Sequence, residues 1–170
     1  FFTLSSAFLG GCQVVSVKKQ ALDVTIANER ANILTQSKLS EASLNVLSMT
    51  GSQADKCGNN PDKCIEDITK ITQVQDEQLY STASELYLAK ALSLSESSDC
   101  KISKLSKHRK EEEQKVIQQN YEKCLDQELE SLDKSIRYGY AYLFTTKRKP
   151  QDRIFDNRQV QVRDFYNQAL

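Results

Sequence analysis

Apolar residues recur three and four positions apart over most of this chain, and that spacing predicts helices. From Thr72 they fall at Leu79, Tyr80, Ala83, Leu86, Tyr87, Ala91 and Leu94, which places one broad apolar face on a helix ending near Glu96. A turn-rich stretch, Ser95-Glu96-Ser97-Ser98-Asp99, follows it. A second stripe runs through Ile117, Tyr121, Leu125, Leu129, Leu132, Ile136, Tyr140 and Leu143. It predicts a helix starting between Lys101 and Lys110 and ending by Thr146, about 60 Å long at 1.5 Å per residue. So long a stripe needs a partner, and the helix at 72–96 is the nearest. The expectation is an antiparallel pair, about 72–96 and 107–146.

Shorter elements precede the pair. One helical segment spans roughly Val17 to Thr35. Another starts at Ser40, a good N-cap, and stops at Gly51, a good residue for the left-handed position past a helix end. Residues 52–60 are polar and carry Gly and two Asn, so they read as a loop. Asn60-Pro61 reads as a cap followed by proline in a first turn, opening a short helix to about Lys70. Lys147-Arg148-Lys149-Pro150 ends the long helix, because cations suit its last turn and Pro cannot continue it. A further helix starts near Asn157, with an unfinished apolar pattern at Val160, Val162, Phe165, Tyr166 and Leu170. These residues are expected to form an exposed, association-prone tail. The fold class is therefore all-α, a helical bundle.

Composition agrees. Only 5 Gly and 2 Pro occur in 170 residues, as a helix-rich chain requires. Acidic and basic residues balance at 23 each, so no electrostatic footprint for nucleic acid is present. No internal period near 34 residues marks a helical repeat array.

The first twelve residues carry a different signal. Phe1 to Leu9 is an apolar run that closes in Leu9-Gly10-Gly11-Cys12. It resembles a lipobox, the cleavage and acylation site of a bacterial lipoprotein signal peptide. The basic n-region is missing and the chain starts at Phe1, so residues 1–11 read as a truncated signal peptide. The resemblance implies that Cys12 carries the lipid and that residues 12–16 are its tether. It also implies membrane attachment without a transmembrane helix, since acyl chains contribute about 0.8 kcal/mol per buried CH₂. Gln13 is not the Asp that retains such proteins in the inner membrane, which implies the outer membrane. Residues 17–146 would form the helical domain, and 147–170 a tail leading to a further, missing domain.

With Cys12 set aside, Cys57, Cys64, Cys100 and Cys124 remain. An even number in an oxidising compartment predicts two disulfides. The preferred pairing is Cys57–Cys64 and Cys100–Cys124, although two other pairings satisfy the count. Metal binding is not expected: no C-x-x-C occurs, and His108, in a basic turn, is the only histidine.

Catalytic patterns are missing from the sequence. There is no G-x-S-x-G, no phosphate-cradling glycine loop and no H-E-x-x-H. S-x-x-K at Ser16, Ser98 and Ser131 lacks the partner motifs of that chemistry. Glu128 and Glu130 would point to different faces of a helix. No catalytic residue and no cofactor is expected. The aromatic run Tyr138, Tyr140, Tyr142 and Phe144, with Phe165 and Tyr166, offers either a packed helix end or an interface.

Three segments resemble a known family. They are Asp76 to Ala91, Ile136 to Phe144, and Phe155 to Leu170 with its Arg163-Asp164-Phe165-Tyr166-Asn167 core. The chain is similar to the N-terminal helical region of proteobacterial lipoproteins that carry a C-terminal α/β-hydrolase domain. The resemblance spans nearly the whole chain but only the non-catalytic front of that family. It implies a membrane-anchored, inactive helical region that spaces or supports a hydrolase. The competing expectation is a self-contained helical lipoprotein that binds a protein partner or assembles an envelope complex.

Overall fold

A computed structural model describes residues 38–101, 111–147, 149, 151 and 156–170, the side chain of Asp99 excepted. Cys12, His108 and the helix expected at Val17–Thr35 lie outside the described residues. The elements are α1 (Glu41–Met49), α2 (Ala54–Asn59), α3 (Pro61–Thr69), α4 (Asp76–Glu96), a 3₁₀ turn (Ser98–Cys100), α5 (Glu111–Tyr140), a π-helical turn (Ala141–Thr145) and α6 (Asn157–Ala169). Among the described residues there is no strand, and no helix is long and apolar enough to cross a membrane.

Local signals set the helix ends. Ser40 caps α1 by accepting from the Ser43 backbone N–H at 3.4 Å. At the other end Gly51 stands at φ 67°. The Ser52 N–H then reaches back to the Leu47 carbonyl and the Gly51 N–H to that of Ser48, both at 3.1 Å, satisfying two of the last carbonyls. Asn60 Oδ1 accepts from the Lys63 N–H at 3.4 Å, with Pro61 in the first turn of α3. Asp156 Oδ1 accepts from the Arg158 N–H at 2.9 Å and starts α6.

The expected loop at 52–60 contains a helical turn and a half, α2. Its polar surface hides one fully buried residue, Cys57, tied to Cys64 on α3 with their Cα atoms 5.6 Å apart. That bond and the burial decide the local conformation against a weak helix-forming sequence.

The antiparallel pair is present as α4 and α5, and it shares the longest helix–helix boundary of the fold. The faces differ from those expected. α4 is not amphipathic but central, and every residue from Ser81 to Ala89 is buried. One core joins Val46, Leu47, Ile65, Ile68, Leu86 and Tyr87 across α1, α3 and α4. A second joins Leu88 to Phe165 and Ala169 of α6, with Leu92, Leu132 and Ile136 packed on it.

On α5 the buried residues are Cys124, Ser131, Ser135 and Gly139, one position off the aliphatic stripe. Small side chains win this seam because they let the two backbones approach. Ser84 Oγ donates to the Ser135 carbonyl at 3.0 Å, and Ser135 Oγ donates to the Ser84 carbonyl at 2.8 Å. A Cβ on Gly139 would stand 3.2 Å from both Ser84 Oγ and a ring carbon of Tyr166. The stripe is left beside the seam. Leu132 and Ile136 are half-buried under α6, whereas Leu129 is 55% and Leu125 39% exposed.

The C-terminal segment also departs from expectation. Val162 and Phe165 are fully buried and Ala169 nearly so, and α6 packs on both α4 and α5. It is part of the bundle and not an exposed apolar tail; only Leu170 of the five named residues is strongly exposed.

Candidate functional site

The most unusual place in the molecule is a carboxylate at its centre. Glu85, midway along α4, has no exposed surface. A buried carboxylate is costly unless paired and hydrogen-bonded. Two other helices, α1 with its cap and α6, supply the partners. The Ser40 backbone N–H and Oγ both donate to it, the latter at 2.8 Å, and Ser43 Oγ donates at 2.7 Å. Arg158 of α6 places Nη1 2.8 Å from Oε2, with its side chain only 13% exposed. The same guanidinium donates to Ser40 Oγ at 2.5 Å, Ser43 Oγ at 2.6 Å and Gln161 Oε1 at 3.2 Å.

Each contributor is placed by a simple rule. Ser40 and Ser43 sit at the cap and first turn of α1, so their donors converge. Thr82 lies one turn before Glu85 on the same face, with Oγ1 3.4 Å from Ser43 Oγ. Arg158 and Gln161 are three apart on the first turn of α6. Chemically the arrangement holds a charge still. The serine hydroxyls direct their protons at Glu85 and accept from Arg158, so carboxylate, hydroxyls and guanidinium form one connected network.

A cavity of about 310 Å³ opens beside this junction. Ala42, Val46 and Met49 of α1 form one wall, Ser81 and Thr82 of α4 another, and Tyr142, Asp156 and Arg158 the third. Apolar and polar groups alternate around it.

A second charged cluster lies on the surface of α3, α4 and α5. Tyr87 Oη donates to Asp62 Oδ1 at 2.6 Å, and Lys134 Nζ donates to the same oxygen at 2.9 Å. Lys134 also pairs with Glu130 at 2.8 Å and stands 5.2 Å from the centre of the Tyr87 ring. The Tyr87 and Lys134 hydrogen bonds hold the Asp62 carboxyl below the usual carboxylate range. Burial, then the bond to Asp62, pushes the Tyr87 phenol well above its ordinary value. Tyr138 stacks on Tyr87 with ring centres 5.8 Å apart.

The cysteine pairing stands as preferred: Cys57 with Cys64, and Cys100 with Cys124 at a Cα separation of 5.4 Å. Among the described residues no three His, Cys, Asp or Glu side chains cluster as metal ligands.

The aromatic set divides. Tyr142 and Phe165 are buried, which removes both from any interface and is a correction to that expectation. Tyr138 and Tyr166 are half-buried. Tyr140 and Phe144 are 52% and 64% exposed, their rings 4.9 Å apart, and Tyr166 meets Phe144 edge-on at 6.5 Å. The π-helical turn resets the phase of the helix between Tyr140 and Thr145, so neighbours in sequence part between core and surface.

Sequence reasoning missed Glu85 and Arg158 altogether. Glu85 sits in an apolar-looking helix, and nothing in its neighbours marks it as central. Arg158 belongs to a segment read as a tail. The available signal was the number of small and hydroxyl residues around Glu85 (Ser81, Thr82, Ala83 and Ser84), which suits close packing on every side.

No family model, curated protein or solved structure matches this chain.

Proposed function

We propose that this chain is a lipid-anchored helical module of the bacterial envelope, facing the periplasm, which presents a rigid surface to a protein partner and does no chemistry itself. The observation that carries the reading is the cysteine pattern. Four cysteines come together as two pairs with Cα separations of 5.6 and 5.4 Å, and Cys12 alone is left over. Disulfides persist in oxidising compartments, and the lipobox resemblance at Leu9 to Cys12 supplies both the export route and the role of the fifth cysteine. Outer-membrane attachment follows from Gln13 in the same reading.

The buried junction supports a structural task. Glu85 and Arg158 tie α1, α4 and α6 into one body, and the exposed pair Tyr140 and Phe144, edged by Tyr166, forms the aromatic surface for a partner.

A second reading keeps the likeness to hydrolase-bearing lipoproteins. The Arg163-Asp164-Phe165-Tyr166-Asn167 signature contributes Phe165 to the core and Tyr166 to the Gly139 contact. In that reading α6 fixes the orientation of a domain that follows. A G-x-S-x-G in the coding sequence beyond Leu170 would select it.

The test of the anchor is metabolic labelling of the full-length protein with a fatty-acid analogue in a bacterial host. Cys12→Ala should abolish the label and move the protein from the membrane to the soluble fraction. Label retained on the variant would overturn the proposal.

A further inference from the structure

The register of α4 against α5 carries one end of α5 past its partner. Ser84 and Ser135 exchange hydrogen bonds, which sets Glu96, the last residue of α4, opposite Lys123. The Cys100–Cys124 bond closes the pair at the same level. The stretch from Glu111 to Lys123 therefore runs about 20 Å beyond the end of α4, at 1.5 Å per residue.

Apolar residues continue along this end. Ile117, Tyr121, Leu125 and Leu129 follow one another at steps of four and form a ridge on α5. Ile117 and Tyr121 are half-buried, whereas Leu125, Leu129 and the neighbouring Val116 are exposed. Leu132 and Ile136 extend the ridge, and among the described residues α6 covers only this later part. Single apolar side chains on a surface are ordinary, but a contiguous run of them marks an interaction site.

Charge selects what can cover it. Between 111 and 130 stand seven carboxylates and two lysines, although the chain as a whole is neutral. Glu122, Asp126 and Glu130 each lie one position past a ridge residue and edge the ridge on one side, and Glu128 edges the other. Lys115 and Lys134 pair with Glu111 and Glu130 at 3.0 and 2.8 Å, but Glu122 has an uncharged donor, Gln118, at 2.8 Å. A second copy of the chain would set like charges against each other along the ridge. A cationic partner would neutralise them.

We propose that the ridge from Ile117 to Leu129 docks a basic amphipathic helix of a partner protein. That helix carries apolar residues three and four apart, flanked by Lys or Arg that face Glu122, Asp126 and Glu128. The mode is helix-against-helix recognition by apolar anchors with a charged rim. This surface lies at the opposite end of α5 from Tyr140 and Phe144, and the inference stands whether or not Cys12 is acylated.

The probe is a fluorescein-labelled amphipathic peptide of Leu and Lys, with its leucines three and four apart, beside a counterpart in which Glu replaces Lys. Anisotropy titrations use the oxidised full-length protein. The Lys peptide should bind and the Glu peptide should not. Leu125→Gln with Leu129→Gln should weaken binding at least about ten-fold by removing the anchors. Glu122→Gln with Asp126→Asn should weaken it about five-fold at low salt, and high salt should erase that difference. All four positions are exposed, so the fold tolerates these changes. Tyr140→Ser with Phe144→Ser should bind like the parent, which separates this surface from the aromatic one. Equal binding of both peptides, or a leucine variant that binds like the parent, would overturn the proposal. So would a protein that binds neither peptide, as expected if its own basic run Lys101 to Lys110, outside the described residues, occupies the ridge. A dimer in sedimentation that the leucine variant dissociates would assign the ridge to a second copy and overturn it as well.

Discussion

Removing one partner of the Glu85–Arg158 pair should be among the most damaging single changes in this protein. Arg158→Met keeps the length and apolar stem of the side chain but leaves Glu85 without its cation. Glu85 is fully buried, so the remaining carboxylate can rely only on three neutral donors, the Ser40 N–H and the two serine hydroxyls. Breaking a buried pair this way costs about 3–5 kcal/mol. Glu85→Met is the reciprocal change. Arg158 is 13% exposed and lines a cavity, so part of its charge can be hydrated, and the loss should be smaller, about 2–3 kcal/mol. The double variant removes both charges, yet the Ser40 N–H and both hydroxyls lose their acceptor. It should therefore remain destabilised by about 1–3 kcal/mol instead of returning to neutrality. The cycle thus predicts a favourable coupling of about 2–7 kcal/mol. Urea unfolding of the oxidised proteins, followed by far-UV circular dichroism, would measure it. Single losses below about 1 kcal/mol, or losses that add without coupling, would show that the junction is hydrated and does not tie α6 to the bundle.

Three further outcomes are expected. Reducing Cys100–Cys124, which closes a separation of 24 residues, should cost about 3.5 kcal/mol, against about 2.5 kcal/mol for Cys57–Cys64 with a separation of 7; Cys→Ser pairs compared by urea midpoint would check the order. Tyr87→Phe should raise the Asp62 carboxyl toward its ordinary value, read by NMR titration. Asp62 has a folded value below its unfolded one, so its contribution is present above about pH 4 and lost as pH falls through the folded value; the variant should show a weaker loss in that acid window. Gly139→Ala should lower the melting temperature, because its Cβ meets Ser84 Oγ and the Tyr166 ring at 3.2 Å. The crowding costs about 1–3 kcal/mol, against a gain in helix propensity of about 1 kcal/mol. An unchanged or higher melting temperature would mean the seam can widen.

Local chemistry was legible without the fold. Ser40, Gly51 and Asn60-Pro61 mark helix ends through groups within a few residues of themselves, and those ends stand where the caps put them. Three-and-four spacing identified α4, α5 and α6, since a helix brings such residues to one side whatever surrounds it. Parity allowed three cysteine pairings and the sequence only favoured one of them; the fold brings Cys57 to Cys64 and Cys100 to Cys124. What the spacing did not contain was which side of each helix faces which neighbour. On α5 the bulky stripe invited the wrong choice: close backbone approach favours Ser131, Ser135 and Gly139, while Leu125 and Leu129 stay outside. Phe165 reads as unpartnered because the trough that receives it is made by Leu88, Leu92, Leu132 and Ile136, which lie far earlier in the chain. Glu85 is the extreme case. A carboxylate in a helix reads as a solvent-facing residue, and only the convergence of α1, α4 and α6 supplies the hydroxyls and the guanidinium that let it be buried. Helix formation is a short-range property and was set by the sequence directly. Burial is a property of contacts between distant segments, and the tertiary structure alone decided it.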